Sequence, residues 1–536
     1  MFARHSLFLV VCVLLVSALV GCSPQSGTDE AGRWLPGDTL AWLHLDEVSA
    51  LETALEQAGL LDLLIEELDE PETREDIKEN LGIELADDPR ETVHAMFQDI
   101  RRVDVSAHPP LHAGEVDPAW VFHVDCVDDL AAARIMDMIK PHSDELLTMG
   151  AFEMLVVIPD DDHRLFVAQT GAHLVLSDEA EICGAMLGNL IDPPAVSLVD
   201  AEEYLLVADS RSHQVRFYMS RAFQSELKGL GGMPPGYNVA AMTPIMDKYG
   251  SQTAFVGCDY QITKIVSRQA LEPDSPLVPL LDIPAGKSEL LAWMPADAFA
   301  GEWGLVHEGR QKMELLRQLI VDTMEAAAEV SGETLPPMQA DPVTSMEAAL
   351  GFSLNDAAAL VHEWALAGSE LGYIMFLRAG DEAGAEELLD MLLACPALAM
   401  FPEADPLTVG DATMRQYTWP GQPEVGHYLG RKGDTVMLQL MVKDAVALEA
   451  YLGSIGENGL LGNLPGFAAG QLEEEGYGWG FVDVGRLLAA FEQDLDGMLE
   501  EVPPALAARL RTLVIAGHAL NVGEGRVEMV LEVSGP

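Results

Sequence analysis

The segment Leu40-Ala-Trp-Leu-His-Leu-Asp46 has a near copy, Leu291-Ala-Trp-Met-Pro-Ala-Asp297, in the second half of the chain. Further similar pairs follow in the same order along both halves: Trp120-Val-Phe-His-Val and Tyr373-Ile-Met-Phe-Leu, Leu187-Gly-Asn-Leu190 and Leu461-Gly-Asn-Leu464, and Val207-Ala-Asp209 and Phe481-Val-Asp483. Segments that recur in a constant order indicate repeated structural modules. We therefore interpret the chain as a tandem duplication.

The boundary between the two copies lies in a proline-rich stretch, Leu271-Glu-Pro-Asp-Ser-Pro-Leu-Val-Pro. A chain of 536 residues exceeds what one hydrophobic core ordinarily supports, which also favours two modules. The predicted parts, in chain order, are a signal peptide at 1–21, a flexible tether at 22–30, copy one at 31–270, a linker at 271–282 and copy two at 283–536.

Within each copy, apolar runs of strand length alternate with segments of helical periodicity. In copy one the strand-length runs are 40–45, 120–124, 152–158, 174–176 and 204–208. Several strands follow one another closely, as in 152–176 and again in 412–440, which favours antiparallel pairing across short turns. We therefore predict an α+β fold of two tandem homologous modules, each a mostly antiparallel sheet with helices packed on one face.

Four aspartates end predicted strands where a helix is expected to begin: Asp46, Asp209, Asp297 and Asp483. A carboxylate at that position accepts hydrogen bonds from the unpaired N–H groups of the first helical turn. We predict helix N-caps at these positions in preference to catalytic or metal-binding groups.

The N-terminus carries an apolar run at 7–20, which is shorter than the ~20 residues that span a bilayer. The run ends in Leu19-Val20-Gly21-Cys22, which resembles the lipobox of bacterial lipoproteins. That resemblance implies cleavage between Gly21 and Cys22, lipid on the Cys22 thiol and an acyl chain such as palmitate on its new amino group. Because Ser23 rather than aspartate follows, the resemblance implies anchoring at the outer membrane, facing the periplasm.

The charge balance excludes one class of partner. The chain has 87 Asp and Glu against 30 Lys and Arg, a formal net charge of -57. Such a body is repelled by nucleic-acid phosphates and by anionic lipid surfaces, so we predict no nucleic-acid partner. Cation binding or a basic partner would explain the charge, but the acids are spread along the whole chain, which favours a solvated acidic surface.

Motifs for familiar chemistry are absent from the sequence. There is no nucleophile elbow and no zinc-binding helix motif, so we predict no catalytic residues, no cofactor and no metal site. His108, His112 and His123 could place imidazoles near a zinc ion, yet no further ligand has a recognisable spacing. Cys126, Cys183, Cys258 and Cys395 show no paired spacing and lie in apolar contexts, which predicts buried free thiols.

The stretch Leu35-Pro-Gly-Asp-Thr-Leu-Ala-Trp42 carries a second resemblance. Together with Leu464-Pro-Gly-Phe467 and Phe481-Val-Asp483, it resembles an uncharacterised family of bacterial secreted proteins, a domain of unknown function. In copy two the opening is degraded to Pro284-Ala-Gly-Lys-Ser-Glu-Leu-Leu-Ala. The resemblance implies secretion and supplies no activity and no catalytic residues.

These observations favour a lipid-anchored cell-envelope protein that binds or scaffolds an envelope protein or a small ligand and is not an enzyme. A cleft between the two copies is the expected ligand site, since clefts between domains commonly bind ligands. Two alternatives stay open: an envelope hydrolase of unfamiliar type, for which the histidines of copy one are the clearest candidates, and a carrier of an apolar ligand.

Overall fold

In the described part of the chain, twenty β-strands form one continuous sheet in which every pair of neighbours is antiparallel. The computed structural model describes residues 32–533 except 58–59, 72, 75–88, 111–117, 144, 159–163, 210, 212, 227–247, 251, 261–262, 332–340, 397, 402–405, 420–421, 443, 456–458, 491–503 and 524. The predicted signal peptide, the tether, Gly21 and Cys22 lie outside the described residues. No helix within the described residues is both long enough and apolar enough to cross a membrane.

The described residues of the first half supply ten strands. They are β1 (Ala41–Asp46), β2 (Ile100–His108), β3 (Ala119–Cys126), β4 (Glu145–Met149), β5 (Phe152–Val157), β6 (Leu165–Thr170), β7 (His173–Ser177), β8 (Val215–Met219), β9 (Gln252–Cys258) and β10 (Lys264–Leu271). Their pairings give the spatial order β4-β5-β6-β7-β3-β2-β1-β8-β9-β10. The α+β fold class and the antiparallel pairing predicted from the sequence are confirmed.

The other ten strands come from the residues of the second half that the structure describes. They are β11 (Ala300–Leu305), β12 (Val361–Ser369), β13 (Gly372–Ala379), β14 (Leu407–Val409), β15 (Ala412–Trp419), β16 (Gln422–Lys432), β17 (Thr435–Val442), β18 (Gly478–Asp483), β19 (Val514–Gly523) and β20 (Arg526–Val533). Their order is β14-β15-β16-β17-β13-β12-β11-β18-β19-β20, which repeats the pairings of the first half one for one. The duplication stays a prediction, and this repeated order is what a duplication would produce.

The two halves meet at the last strand of each. β10 pairs with β20 from Lys264↔Glu532 to Ala270↔Arg526, so the sheet runs without a break from β4 to β14. The cleft that the sequence predicts between the copies is therefore replaced, along this junction, by a ladder of backbone hydrogen bonds.

The equivalent positions of the two halves differ from those predicted. The hydrogen bond from Thr39 N to Pro36 O recurs as Ala298 N to Pro295 O, and the bond from Ser220 N to Leu40 O recurs as Asp483 N to Phe299 O. These bonds align Trp34-Leu-Pro-Gly-Asp-Thr-Leu-Ala41 with Trp293-Met-Pro-Ala-Asp-Ala-Phe-Ala300. The predicted match of 40–46 with 291–297 is wrong, because Leu290–Trp293 is a 3₁₀ turn and the strand begins only at Ala300.

Two other predicted matches also fail, while one holds. The segment 187–190 ends the helix Ala180–Ile191, whereas its proposed partner 461–464 lies in and after the 3₁₀ turn Leu460–Asn463. The run 204–208 is a helix, Glu202–Val207, whereas Phe481 lies in strand β18. The match of 120–124 with 373–377 is correct, because both segments form the third strand of their half.

Helices lie on both faces of the sheet rather than on the predicted single face. In the first half they are Val48–Gln57, Leu60–Asp69, Pro89–Asp99, Asp129–Ile139, Ala180–Ile191, Glu202–Val207 and Arg221–Glu226. After Val278–Leu281, the second half has Gly309–Ser331, Pro342–Leu350, Leu354–Leu360, Glu382–Leu393, Ala445–Ser454, Gly466–Glu473, Val484–Ala490 and Pro504–Leu510. Short 3₁₀ turns occupy Lys140–His142, Leu198–Asp200, Leu290–Trp293, Leu398–Met400 and Leu460–Asn463.

Strand β13 explains why both faces need cover. Its Phe376 packs in a core with Ala445–Ser454 and Gly466–Glu473 on one face, and its Leu377 packs with Glu382–Leu393 on the other. A strand that is apolar on both sides must be covered on both. The uninterrupted run Tyr373-Ile-Met-Phe-Leu is the sequence signal for this arrangement.

Of the four predicted N-cap aspartates, only Asp483 caps a helix, accepting a hydrogen bond from Arg486 N at 3.0 Å. Asp46 accepts from the adjacent Glu47 N, Asp209 binds Arg211 and His213, and Asp297 is followed by strand β11. Asp209 and Asp297 do not cap helices because the chain after each of them leads into a strand and not into a helix. Other side chains supply N-caps instead, and among them are Asp128, Asp341, Ser353, Asp381 and Asp444.

Candidate functional site

A groove of about 760 Å³ lies on one face of the sheet, over the central strands of the second half. Its floor is made by residues of β11, β18 and β19 that point away from the main core of that half. Leu366 and Tyr373 form part of its wall and are 39% and 41% exposed. The groove is therefore an open, largely apolar surface and not an enclosed cavity.

Glycines create the groove. Gly480 pairs with Glu302 on one side and with Gly517 on the other, so these three residues lie at one level across the floor. The equivalent residues of the first half are Phe217, Leu43 and Val256, which fill the same face with large side chains. The groove exists in the second half because two of three floor positions lack a side chain.

The backbone does not require glycine at two of these positions. A Cβ on Gly478 would lie 3.9 Å from Trp303 O, and one on Gly480 would lie 3.6 Å from Gly301 O, both ordinary contact distances. Neither residue has a positive φ. At Gly517, by contrast, a Cβ would lie 2.3 Å from Val530 O, so that glycine is needed for packing. Gly478 and Gly480 thus leave open a space that a side chain could fill.

Glu302 and Trp364 lie on the groove face among the apolar lining residues. Glu302 is exposed and pairs across the sheet with Leu366, and Trp364 pairs with Gly304 on the same face. A Cβ on Gly304 would lie 3.1 Å from Trp364 Nε1, which places the indole over that glycine. Within the described residues, no cationic side chain forms an ion pair with Glu302.

A second polar cluster lies in the first half and on the opposite face. Asp104 accepts a hydrogen bond from Trp42 Nε1 at 2.9 Å, and its carboxylate oxygens lie 2.7 Å from His44 Nδ1 and 2.9 Å from His123 Nδ1. His123 Nε2 lies 3.2 Å from His173 Nδ1. We call these four titratable residues, His44, Asp104, His123 and His173, the histidine chain.

Burial and the neighbouring histidines have opposite effects on the pKa of Asp104. Burial alone would raise the pKa of the fully buried Asp104 carboxyl, but His44 and His123 outweigh it and hold that pKa well below its ordinary value. Burial, and then the proximity of His123, lower the pKa of His173. His44, Asp104 and His123 are almost completely enclosed, and His173 alone of the four reaches solvent.

The histidine chain has no counterpart in the second half. Register places Trp303, Ala365 and Phe376 at the positions of His44, Asp104 and His123. An apolar core thus replaces the charged network without a change of topology. The Asp104 carboxylate is sealed from solvent and both its oxygens are used, so it offers no surface to a substrate, and only His173 of the histidine chain is exposed.

The histidines singled out from the sequence do not form one site. His108 Nε2 lies 2.8 Å from Ser106 Oγ, and burial lowers its pKa to about 4. His123 belongs to the histidine chain, and His112 lies outside the described residues. Across the part of the chain that is described, no three His, Cys, Asp or Glu side chains are placed to hold a metal ion.

The four body cysteines are buried free thiols, as the sequence predicts. Burial raises the pKa of Cys126 to about 11, and of Cys183 and Cys258 to about 12. A thiol at such a pKa stays protonated at neutral pH and is a poor nucleophile.

Sequence reasoning missed the groove, although a signal for it was present. Gly478 and Gly480 alternate along one strand, and glycine inside a strand often marks a site where a ligand approaches the backbone. It also missed Asp104, a lone acid in the strand Val103-Asp-Val-Ser-Ala, whose partners come from other strands.

No protein-family model and no curated protein sequence matches the chain. Solved structures with a weak likeness to the chain include two crystal forms of TP0453. Crystal form IV of TP0453 has a TM-score of 0.26 at 10% identity, covering 48% of this chain and 88% of that chain. Crystal form I of TP0453 has a TM-score of 0.24 at 10% identity, covering 46% and 79%. Scores this low carry no argument about function.

Proposed function

We propose that the protein is a non-enzymatic binding protein of the cell envelope that carries an apolar ligand in the groove over β11, β18 and β19. The observation that carries the proposal is the presence of Gly478 and Gly480 where the first half has Val215 and Phe217. Lipid on Cys22 would hold the protein at the outer membrane, facing the periplasm.

The size and lining of the groove suit a small apolar ligand. Ligand sites in proteins usually enclose roughly 300–1,000 Å³ and are lined mainly by apolar and aromatic side chains. This groove, at about 760 Å³, falls within that range. Leu366, Tyr373 and Met529 offer apolar and aromatic surface along it.

The groove is not suited to an added peptide strand. Strands β11, β18 and β19 each have a paired neighbour on both sides, so their backbone N–H and C=O groups are already used. A peptide that extends a sheet needs a free edge. An occupant of this groove must instead lie on the face of the sheet and bind through contact of apolar surfaces.

The hydrolase alternative has less support. Its best candidates were His108, His112 and His123. His108 and His123 are almost wholly buried, and His112 lies outside the described residues. A catalytic base must come within hydrogen-bonding distance of the proton that it removes. The histidine chain fits a structural part better than a catalytic one.

A groove-filling substitution tests the proposal. Gly480→Leu adds a side chain where the backbone leaves room, so the fold should be kept and the groove closed. The protein is produced from residue 22 with Cys22→Ser, so that it carries no lipid and needs no detergent. Binding of the neutral fluorescent probe N-phenyl-1-naphthylamine should weaken at least about tenfold, or ~1.4 kcal/mol.

The matched control is Gly470→Leu, an exposed glycine in the helix Gly466–Glu473 with no atom within 4 Å of its would-be Cβ. This variant should bind the probe as the unchanged chain does. If Gly480→Leu bound the probe with unchanged affinity, or if the unchanged chain bound none, the proposal would be overturned.

A further inference from the structure

We infer that the ligand of the groove is an amphiphile with a cationic head group, held by Glu302 and Trp364. This inference rests on the proposed function and adds the chemical class of the ligand. It goes beyond apolar contact, because a carboxylate and an indole select for charge as well as for hydrophobicity.

Glu302 places a carboxylate on the floor of the groove. It lies in the middle of β11, between Leu366 of β12 and Gly480 of β18, so its side chain projects from the groove floor. A carboxylate at the centre of an apolar surface costs binding energy for a wholly apolar ligand, which would desolvate it without compensation. A cationic group on the ligand would compensate that cost.

The position of Trp364 is the second argument. Trp364 pairs with Gly304, two residues along β11 from Glu302, and both side chains lie on the groove face. Diagonal neighbours on one face of a sheet are ~7–8 Å apart, within reach of one head group. Indole is the aromatic ring that attracts cations most strongly. The pair thus offers a negative charge and an aromatic ring to the same head group.

Comparison with the first half is the third argument. The residues equivalent to Glu302 and Trp364 are Leu43 and Val103, so the shared fold requires neither a carboxylate nor an indole there. Glu302, Trp364 and the two glycines that the backbone does not require, Gly478 and Gly480, occur together in the second half. Their co-occurrence indicates a site rather than a requirement of packing.

The net charge of the whole molecule also favours a cationic ligand over an anionic one. With a formal net charge of -57, the protein repels anionic amphiphiles such as fatty acids and attracts cationic ones. This long-range effect is not specific to the groove, so the experiment must separate it from the local effect of Glu302.

Three surfactants with the same ten-carbon chain and different heads provide the test: decyltrimethylammonium, decyl maltoside and decyl sulfate. Each is titrated below its micelle concentration into the lipid-free Cys22→Ser protein at about 0.15 M salt, where long-range charge effects are screened within ~8 Å. Calorimetry should show one-to-one binding, with the cation about tenfold tighter than the neutral surfactant and the sulfate weakest.

Glu302→Gln should remove the preference for the cation and should not weaken the binding of decyl maltoside. Glu386→Gln, which removes one exposed carboxylate from the helix Glu382–Leu393, alters the net charge equally and should leave the preference intact. Trp364→Leu should weaken the binding of decyltrimethylammonium more than the binding of decyl maltoside.

The outcomes separate this inference from the proposed function. Equal binding of all three surfactants would overturn the cationic ligand and leave an apolar ligand standing. A preference for the cation that survives Glu302→Gln would overturn the assignment to Glu302. Failure of all three to bind at one-to-one stoichiometry would overturn both.

Discussion

At the scale of single residues, Asp104 shows how much one buried charge depends on its partners. Removing a carboxylate from water costs several kcal/mol, and here Trp42, His44 and His123 offset that cost with hydrogen bonds and charge. The second half reaches the same topology with Ala365 at this position. The charged network is therefore one of two ways to fill the same space.

Replacing Asp104 should destabilise the protein strongly. Asp104→Ala leaves Trp42 Nε1 and two imidazoles without their acceptor, which typically costs ~3–5 kcal/mol. We expect that loss in the free energy of unfolding measured by urea denaturation at pH 7. Asp356→Ala, which breaks an exposed ion pair with Arg310, should cost at most ~1 kcal/mol.

The loss of stability caused by Asp104→Ala should depend on pH. Because the folded protein holds the pKa of Asp104 below the ordinary carboxyl value of 3.8, its contribution is fully present above that value and is lost as the pH falls below it. The difference in stability between the unchanged protein and Asp104→Ala should therefore shrink from pH 5 toward pH 2. A difference that stays constant over that range would contradict the assigned charge state.

At the scale of elements, the ladder between β10 and β20 makes one sheet out of two halves. Lys264 lies 3.0 Å from Glu532, and Arg268 lies 2.5 Å from Glu528, so opposite charges face each other across the junction. Opposite charges paired across strands stabilise the sheet, and like charges destabilise it. The junction thus has both backbone and side-chain complementarity.

A charge swap at the junction tests this pairing. Lys264→Glu and Glu532→Lys should each lower the free energy of unfolding, because each places like charges opposite one another, by ~0.2–1 kcal/mol. The double variant should recover most of the loss in a double-mutant cycle. Additive losses in the double variant would show that Lys264 and Glu532 do not interact.

The elements also show where sequence reasoning succeeds and fails. Apolar runs of strand length correctly predicted the positions of β1, β3, β5 and β7, because the hydrophobic pattern of a strand is a property of its local sequence. The shared tripeptide Leu-Ala-Trp misled the alignment, since in one half it begins a strand and in the other it forms a 3₁₀ turn. Pairing of β10 with β20 joins segments far apart in the chain and leaves no local signal.

At the scale of the whole molecule, the two halves share a topology and differ in chemistry. The first half has a buried charged network on one face, and the second half has an open groove on the other. The sequence predicted the fold class. It could not predict the groove, because a groove is defined by side chains that are missing at Gly478 and Gly480 once distant strands are brought together.

The most direct measurement is native mass spectrometry of the lipidated protein, extracted gently from its own membrane, beside the same protein carrying Gly480→Leu. We predict that the unchanged protein retains one additional molecule of defined mass, an amphiphile with a cationic group, and that Gly480→Leu retains none. An unchanged protein without added mass, or the same added mass on both proteins, would contradict a ligand in the groove.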